Sequence, residues 1–295
     1  MKIVIRHQLS FPAGSGTAHA VQHLLLTPLS GPTQTVKDWT IEMPGFDTAA
    51  RMTDAFGNRA HLVSQTRPDS DLVVTVTGTV ETVDRNGVLG RPGGEPVVAL
   101  YKRVTELTPG DPSIVAPLKA GWTASDGRIA LLHSLMARIG ELYAFGDDDQ
   151  SAAEEPMDAS GASSRSQSQG AGGEAEKPTQ STGETAKRTP ADAMTFAHAF
   201  VGAARALDIP ARYVTGYLAA DDDYPAAFHA WAEAYDDGLG WIGFDAALGI
   251  CPTDRHVRLA AGLDARSTMP VRVAPELEAP KELEVSVEVL AEAAQ

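Results

Sequence analysis

Between Gly146 and Arg188 the chain reads GDDDQSAAEEPMDASGASSRSQSQGAGGEAEKPTQSTGETAKR, with almost no large apolar side chain. A stretch of this kind cannot bury enough surface to offset the entropy of ordering it, so residues 146–188 are expected to form a disordered insertion. Whatever folds must therefore be assembled from the two flanking pieces. Helical patterns border the insertion on both sides and belong to one core, which places its ends close together.

The first piece is rich in short strand-like runs punctuated by Gly and Pro: KIVIRHQLSF, HLLLTPL, KDWTIEM and AHLVSQT. The clearest is LVVTVTGTVETV, where Leu72, Val74, Val76 and Val80 alternate with Thr75, Thr77, Thr79 and Glu81 ahead of the turn DRNG. Period-two alternation followed by turn residues predicts strands, and several of them in succession predict a β-sandwich over residues 1–120. His7, His19, His23 and His61 lack metal-ligand spacing with carboxylate or thiol partners, and no chemistry is expected in this region.

From about residue 121 the period changes. Ile129, Leu132, Leu135, Met136, Ile139 and Leu142 form a helical stripe. A second helix is expected in TPADAMTFAHAFVGAARALDIPARYVTGYL, with Thr189 as N-cap, Pro190 at the first helical position and Asp192 as a capping-box acid. Phe196, Phe200, Ala204 and Leu207 would face the core, and Pro210 ends the helix before the strand RYVTGYL. Residues 121–272 thus read as a core domain of helices and strands. The acidic segment 273–295 reads as a final strand.

The segment FHAWAEAYDDGLGWIGFD, residues 228–245, alternates so that His229, Trp231, Glu233 and Tyr235 share one face. Asp236, Asp237, Gly238 and Gly240 supply a turn. A turn centred near Asp237 sets His229 directly opposite Asp245, and one centred on Gly238 makes them diagonal neighbours on the same face. Both registers bring them within reach. A carboxylate beside an imidazole is how a histidine is oriented to act as a base toward a nucleophile.

Net charge −15 and a pI near 4.9 leave no basic footprint for nucleic acid. No run approaches the roughly 18 apolar residues of a membrane span. One cysteine, Cys251, excludes an intrachain disulfide framework and points to a reducing, cytoplasmic home.

The order and spacing of FAHAFVGAARALDIPARYVTGYL, followed by HAWAEAYDDGLGWIGFDAALGICPTDRHVRLAAGLDARSTMPVR, resemble the bacterial transglutaminase-like family, which includes candidate cysteine proteases. The upstream DAFGNRAHLV is similar to that family's N-terminal domain. The resemblance implies an α+β fold with a papain-like, transglutaminase-like core behind an N-terminal β-sandwich. It also implies a Cys-His-Asp triad whose thiol opens the core helix, where the helix terminus lowers its pKa. Phe196, Ala197 and His198 match the end of the family's Gly-Val-Cys-Gln-Asp-Phe-Ala-His motif, His229 the catalytic histidine and Asp245 the orienting aspartate.

The nucleophile does not match. Without gaps, ADAMT replaces Gly-Val-Cys-Gln-Asp and Ala193 stands at the cysteine; with a gap, the cysteine loop is deleted. Both alignments leave the helix start without a thiol. The expectation is a catalytically inactive homologue, with no cofactor and no metal, that holds a peptide or protein partner, such as an active relative, in the remnant cleft. The competing expectation is an active hydrolase or acyltransferase with a non-standard nucleophile. Cys251, Thr189 and Thr195 are its candidates, along with metal-assisted hydrolysis by His198, His229 and Asp245.

Overall fold

The structure is a computed structural model that describes residues 1–11, 18–67, 72–94, 96–123, 127–146, 188–275 and 281–290. Apart from Gly146 and Arg188, the expected insertion lies outside the described residues. The first piece of the chain supplies β1 (Lys2–Phe11), β2 (His19–Thr27), β3 (Gln34–Glu42), β4 (Ala50–Thr53), β5 (Arg59–Thr66), β6 (Leu72–Thr82) and β7 (Val88–Gly90). It continues with α1 (Pro112–Gly121), α2 (Arg128–Leu142) and β8 (Tyr143–Phe145). After the insertion come β9 (Thr189–Ala191), α3 (Ala193–Ala206), β10 (Ala211–Leu218), β11 (Ala227–Asp236) and β12 (Gly240–Phe244). The chain ends with β13 (His256–Gly262), β14 (Val271–Ala274) and β15 (Lys281–Leu290).

Two four-stranded sheets, ordered β15-β1-β6-β3 and β14-β2-β5-β4, face each other as the sandwich. Alternation builds it: Leu72, Val74, Val76 and Val80 of β6 point inward, and join Ile3, Ile5, Leu24, Leu26, Ile41 and Val63 in one apolar cluster. Trp39 spans the gap, lying over Gly78 while its Nε1 donates to the Leu26 carbonyl of the opposite sheet at 2.7 Å. A Cβ at Gly78 would come within 2.3 Å of the Trp39 ring, so this crossing requires glycine.

The sandwich is not made by the first 120 residues alone. β14 pairs with β2, and β15 pairs along nearly the whole of β1, so the chain's last strands complete both sheets. β7 leaves in the other direction and joins the edge of the core sheet, whose order is β13-β10-β11-β12-β7.

One face of the core sheet presents Ala230, Ala232, Ala234, Ile242 and Phe244 to the helices, where they meet Phe196, Phe200, Leu132, Leu135 and Ile139. The small alanines let α3 lie close. The inward face of α2 differs from the expected stripe at its N-terminal end. Leu131 is buried in a cluster with Ile114 and Val115 of α1, whereas Ile129, in the first turn, is 37 % exposed. α3 is buried more widely than expected, including Arg205, whose guanidinium donates to the carbonyls of Tyr101, Ala211 and Leu263 and to the Thr108 hydroxyl.

The start of α3 also differs from the sequence expectation. Thr189 and Pro190 do not cap the helix. With Ala191 they form β9, paired in parallel with β8. Asp192 is the N-cap itself, its Oδ1 accepting the Thr195 N–H at 2.7 Å. The physical reason is that Pro190 pushes Thr189 into extended backbone, while the stronger capping carboxylate stands next to the first helical residue. The β8–β9 pair brings residues 145 and 191 side by side, so the chain leaves for the insertion close to where it returns.

On its outer edge β13 is covered by amide side chains from the sandwich. Gln34 donates to the Arg258 carbonyl and accepts the Arg258 N–H, and Asn58 does the same at Ala261. Each amide imitates the neighbouring strand that this edge lacks. Sandwich and core are thereby locked to one another at β13.

Candidate active site

β11 and β12 pair so that Ala232 faces Phe244, Tyr235 faces Trp241 and Asp236 faces Gly240. This is the register centred on Gly238, which makes His229 and Asp245 diagonal neighbours. Asp245 then leaves the strand through reciprocal backbone hydrogen bonds with Ile250. That short loop directs its carboxylate at the imidazole: His229 Nε2 lies 2.6 Å from Asp245 Oδ2, with both side chains buried.

A third residue, absent from the sequence reading, completes the arrangement. His256 opens β13, and its Nε2 lies 3.1 Å from the same Asp245 oxygen. Its Nδ1 accepts the Thr253 N–H at 3.1 Å, so the neutral ring carries its proton on Nε2 and donates it to the carboxylate. Trp231 packs beside both imidazoles, stacked against His229 at 6.3 Å and edge-on to His256 at 5.4 Å. Its ring fits because Gly216 lies beneath it; a Cβ there would be 2.6 Å from the indole and 2.2 Å from the Val257 carbonyl oxygen.

Asp245 is the hub. Oδ2 accepts from the two imidazoles, and Oδ1 accepts the N–H groups of Ala247 and Leu248, both at 3.2 Å. Burial pulls its pKa up, but the hydrogen bonds and charges of His229 and His256 outweigh burial and hold the carboxyl down at about 2. An ionised carboxylate only accepts, so His229 bears its proton on Nε2, and in the neutral ring Nδ1 keeps the lone pair. The site therefore holds an oriented base.

His229, Asp245 and His256 place three ligand-type atoms within 4.8 Å of one another. Their hydrogen bonding does not suit a cation. His256 Nε2 is a proton donor fixed by a backbone N–H on its other nitrogen, and the carboxylate is saturated with donors. The alternative set of His198, His229 and Asp245 is not assembled among the described residues. His198 Nε2 accepts the Ala265 N–H at 3.1 Å, and its ring stacks on Tyr213 at 4.6 Å.

Ala193 is the first residue of α3 and is half-buried; Met194 and Thr195 beside it are exposed. An aromatic group connects this helix start with the base. Phe145 packs edge-on against Phe196, one turn into α3, at 6.1 Å and lies 6.3 Å from the His229 ring, with Tyr224 on its outer side at 6.1 Å. Among the described residues no thiol or hydroxyl is hydrogen-bonded to His229. Cys251 packs instead against the helix-side core near Gly87, and burial followed by the Asp84 charge pushes its thiol pKa up. Thr189 lies exposed on β9.

Comparison with known proteins places this geometry. The bacterial transglutaminase-like N-terminal region matches residues 3–81, and the transglutaminase-like superfamily core matches residues 161–246. Together these span more than half of the chain. A solved structure of a candidate cysteine protease from Cytophaga hutchinsonii superposes with a TM-score of 0.64 at 19 % identity, covering 98 % of this chain and 89 % of that one. The periplasmic domain of TgpA from Pseudomonas aeruginosa, bound to ethylmercury, aligns with a TM-score of 0.35 at 15 % identity, over 83 % of this chain and 90 % of that one. No curated protein matches the chain. No helix among the described residues is long and apolar enough to cross a membrane. With its N-terminal sandwich, its helix-backed core sheet and its histidine–aspartate pair, the chain belongs to the bacterial transglutaminase-like family.

Proposed function

We propose that this protein is a catalytically inactive transglutaminase-like domain protein that binds a peptide or protein partner, such as an active relative, in the cleft beside His229. The observation that carries the reading is the first turn of α3, where Ala193, Met194 and Thr195 offer a methyl, a thioether and an exposed hydroxyl, while Phe145 touches both Phe196 of this helix and His229 of the intact His229–Asp245–His256 relay. A base without an acidic nucleophile beside it has nothing to activate. Phe145 and Met194 are 40 % and 49 % exposed, giving an extended chain apolar side chains to rest on. Nucleic acid and membranes are not among the proposed partners, and a cytoplasmic location is part of the proposal.

The test combines activity and nucleophile restoration. The wild type is expected to form no acyl-enzyme and to turn over neither peptide nor amine-transfer substrates, and Cys251→Ala to leave that result unchanged. Ala193→Cys places a thiol at the N-terminus of α3, where the helix end favours the thiolate. Its iodoacetamide alkylation at pH 7 is expected to be about tenfold faster than that of Cys251, the gain in thiolate fraction from a pKa lowered by roughly one unit. His229→Ala in that background should slow it. Fluorescence titration with labelled peptides reads the binding half of the proposal, which Phe145→Ala should weaken. Wild-type turnover that is lost with Thr195→Ala would overturn the inactive reading in favour of a hydroxyl nucleophile.

A further inference from the structure

A cavity far from the relay in sequence and chemistry opens at the edge of the sandwich. Its volume is about 600 Å³, within the range of about 300–1,000 Å³ usual for small-molecule sites. It lies between the two sheets where their edge strands β3 and β4 run, and the turn around Phe46 that joins those strands forms part of its wall. Apolar surface comes from Trp39, Ile41 and Phe46, and polar surface from Arg51, Arg59 and His61.

The strand register explains why the polar groups converge. Arg51 lies directly opposite His61 across β4 and β5, while Arg59 precedes His61 by two residues on β5 and therefore shares its face. Among the described residues neither guanidinium has a hydrogen-bonding or carboxylate partner. In a chain with 39 acidic and 24 basic residues, these two arginines line one opening without a carboxylate between them. Two like charges so close repel each other unless an anion comes between them. His61 is buried with its ring tilted against Phe46 at 5.2 Å, and burial with the charges of Arg51 and Arg59 lowers its pKa, so it adds a neutral ring to the wall rather than a third charge.

We propose that this opening binds a small organic anion: a carboxylate carried on an aromatic or branched apolar body. The guanidinium forks of Arg51 and Arg59 take the carboxylate, and Trp39, Phe46 and the His61 ring enclose the apolar part. Trp39 is pre-set for this, because its Nε1–H is already committed to Leu26 and only its ring is left for a ligand. The proposal does not depend on whether the relay site is catalytic.

Calorimetric titration of the full chain with 3-phenylpropionate tests it, with 3-phenylpropionamide and inorganic phosphate as comparison ligands. The carboxylate is expected to saturate in the submillimolar to millimolar range, with the amide at least about tenfold weaker, since a charge-assisted hydrogen bond to arginine contributes on the order of one such factor or more. Phosphate alone should be weaker again for want of the ring. Arg51→Gln and Arg59→Gln, both exposed and expected to fold normally, should each weaken phenylpropionate about five- to tenfold with unchanged thermal midpoints. Three results would each overturn the proposal: no saturation by about 10 mM, equal affinity for acid and amide, or binding indifferent to both arginine substitutions. Phosphate binding as tightly as phenylpropionate would reduce the site to a bare cationic patch and overturn it as well.

Discussion

Asp245→Asn is expected to lower unfolding stability by about 3 kcal/mol, read as a fall in the urea midpoint at unchanged slope. The carboxylate accepts four hydrogen bonds, two from backbone N–H groups and two from imidazoles, and none of it reaches solvent. An amide has one oxygen and one NH2. If the oxygen faces Ala247 and Leu248, the NH2 group confronts the Nε2–H groups of both histidines, donor against donor. His229 can escape by moving its proton to Nδ1, but His256 can neither do so nor turn without abandoning Thr253, so one donor clash remains.

The same hub fixes an acid response. The Asp245 pKa falls from 3.8 to about 2 on folding, so its contribution is fully present above about pH 4 and is lost as pH falls toward 2. That difference corresponds to about 2 kcal/mol. Wild-type stability should therefore drop across this window by more than that of Asp245→Asn. Parallel acid curves for the two proteins would remove Asp245 from the centre of the site.

Glu233→Gln is expected to be more damaging still, by about 3–5 kcal/mol, because it leaves a buried positive charge uncompensated. Arg212 is completely buried, its Nε donates to Glu233, and its guanidinium lies 4.0 Å from the Trp241 ring centre. Arg258 approaches the other carboxylate oxygen at 2.9 Å and is partly exposed. Burial raises the Glu233 pKa, but the two arginines more than offset this and keep it below the ordinary value. Replacing Arg212 and Glu233 together with leucine should recover most of the loss, since well-packed apolar side chains substitute for a buried pair at little cost. If the single and double variants unfold at the same urea concentration, the charge argument fails and the loss is one of packing.

The sandwich strands, both long helices and the His229–Asp245 hairpin were legible because each rests on local periodicity and turn chemistry. Leu72 to Val80 alternate over one long strand, and DDGLG can only be a turn. His256 was not legible. It lies eleven residues past Asp245 in a segment whose pattern says little, and its role depends on β13 pairing with β10, a contact set by topology. The start of α3 was misplaced because Thr189-Pro190 and Asp192 are both plausible caps. The parallel β8–β9 pair, joined across the insertion, selects Asp192. The pocket between β3 and β4 was hidden because Arg51 and His61 are ten residues apart and meet only through strand register.

The pairing of β15 with β1 has a consequence for biosynthesis. Ile3 and Ile5 share a cluster with Val271 and Val287, which are translated long after them. The opening strand has β6 on one side and must keep its other edge bare until residue 290 or so has been translated. Until then, that edge is free to recruit another nascent chain. A chaperone that binds β1 during synthesis would shield a strand whose second neighbour is made far later in the chain.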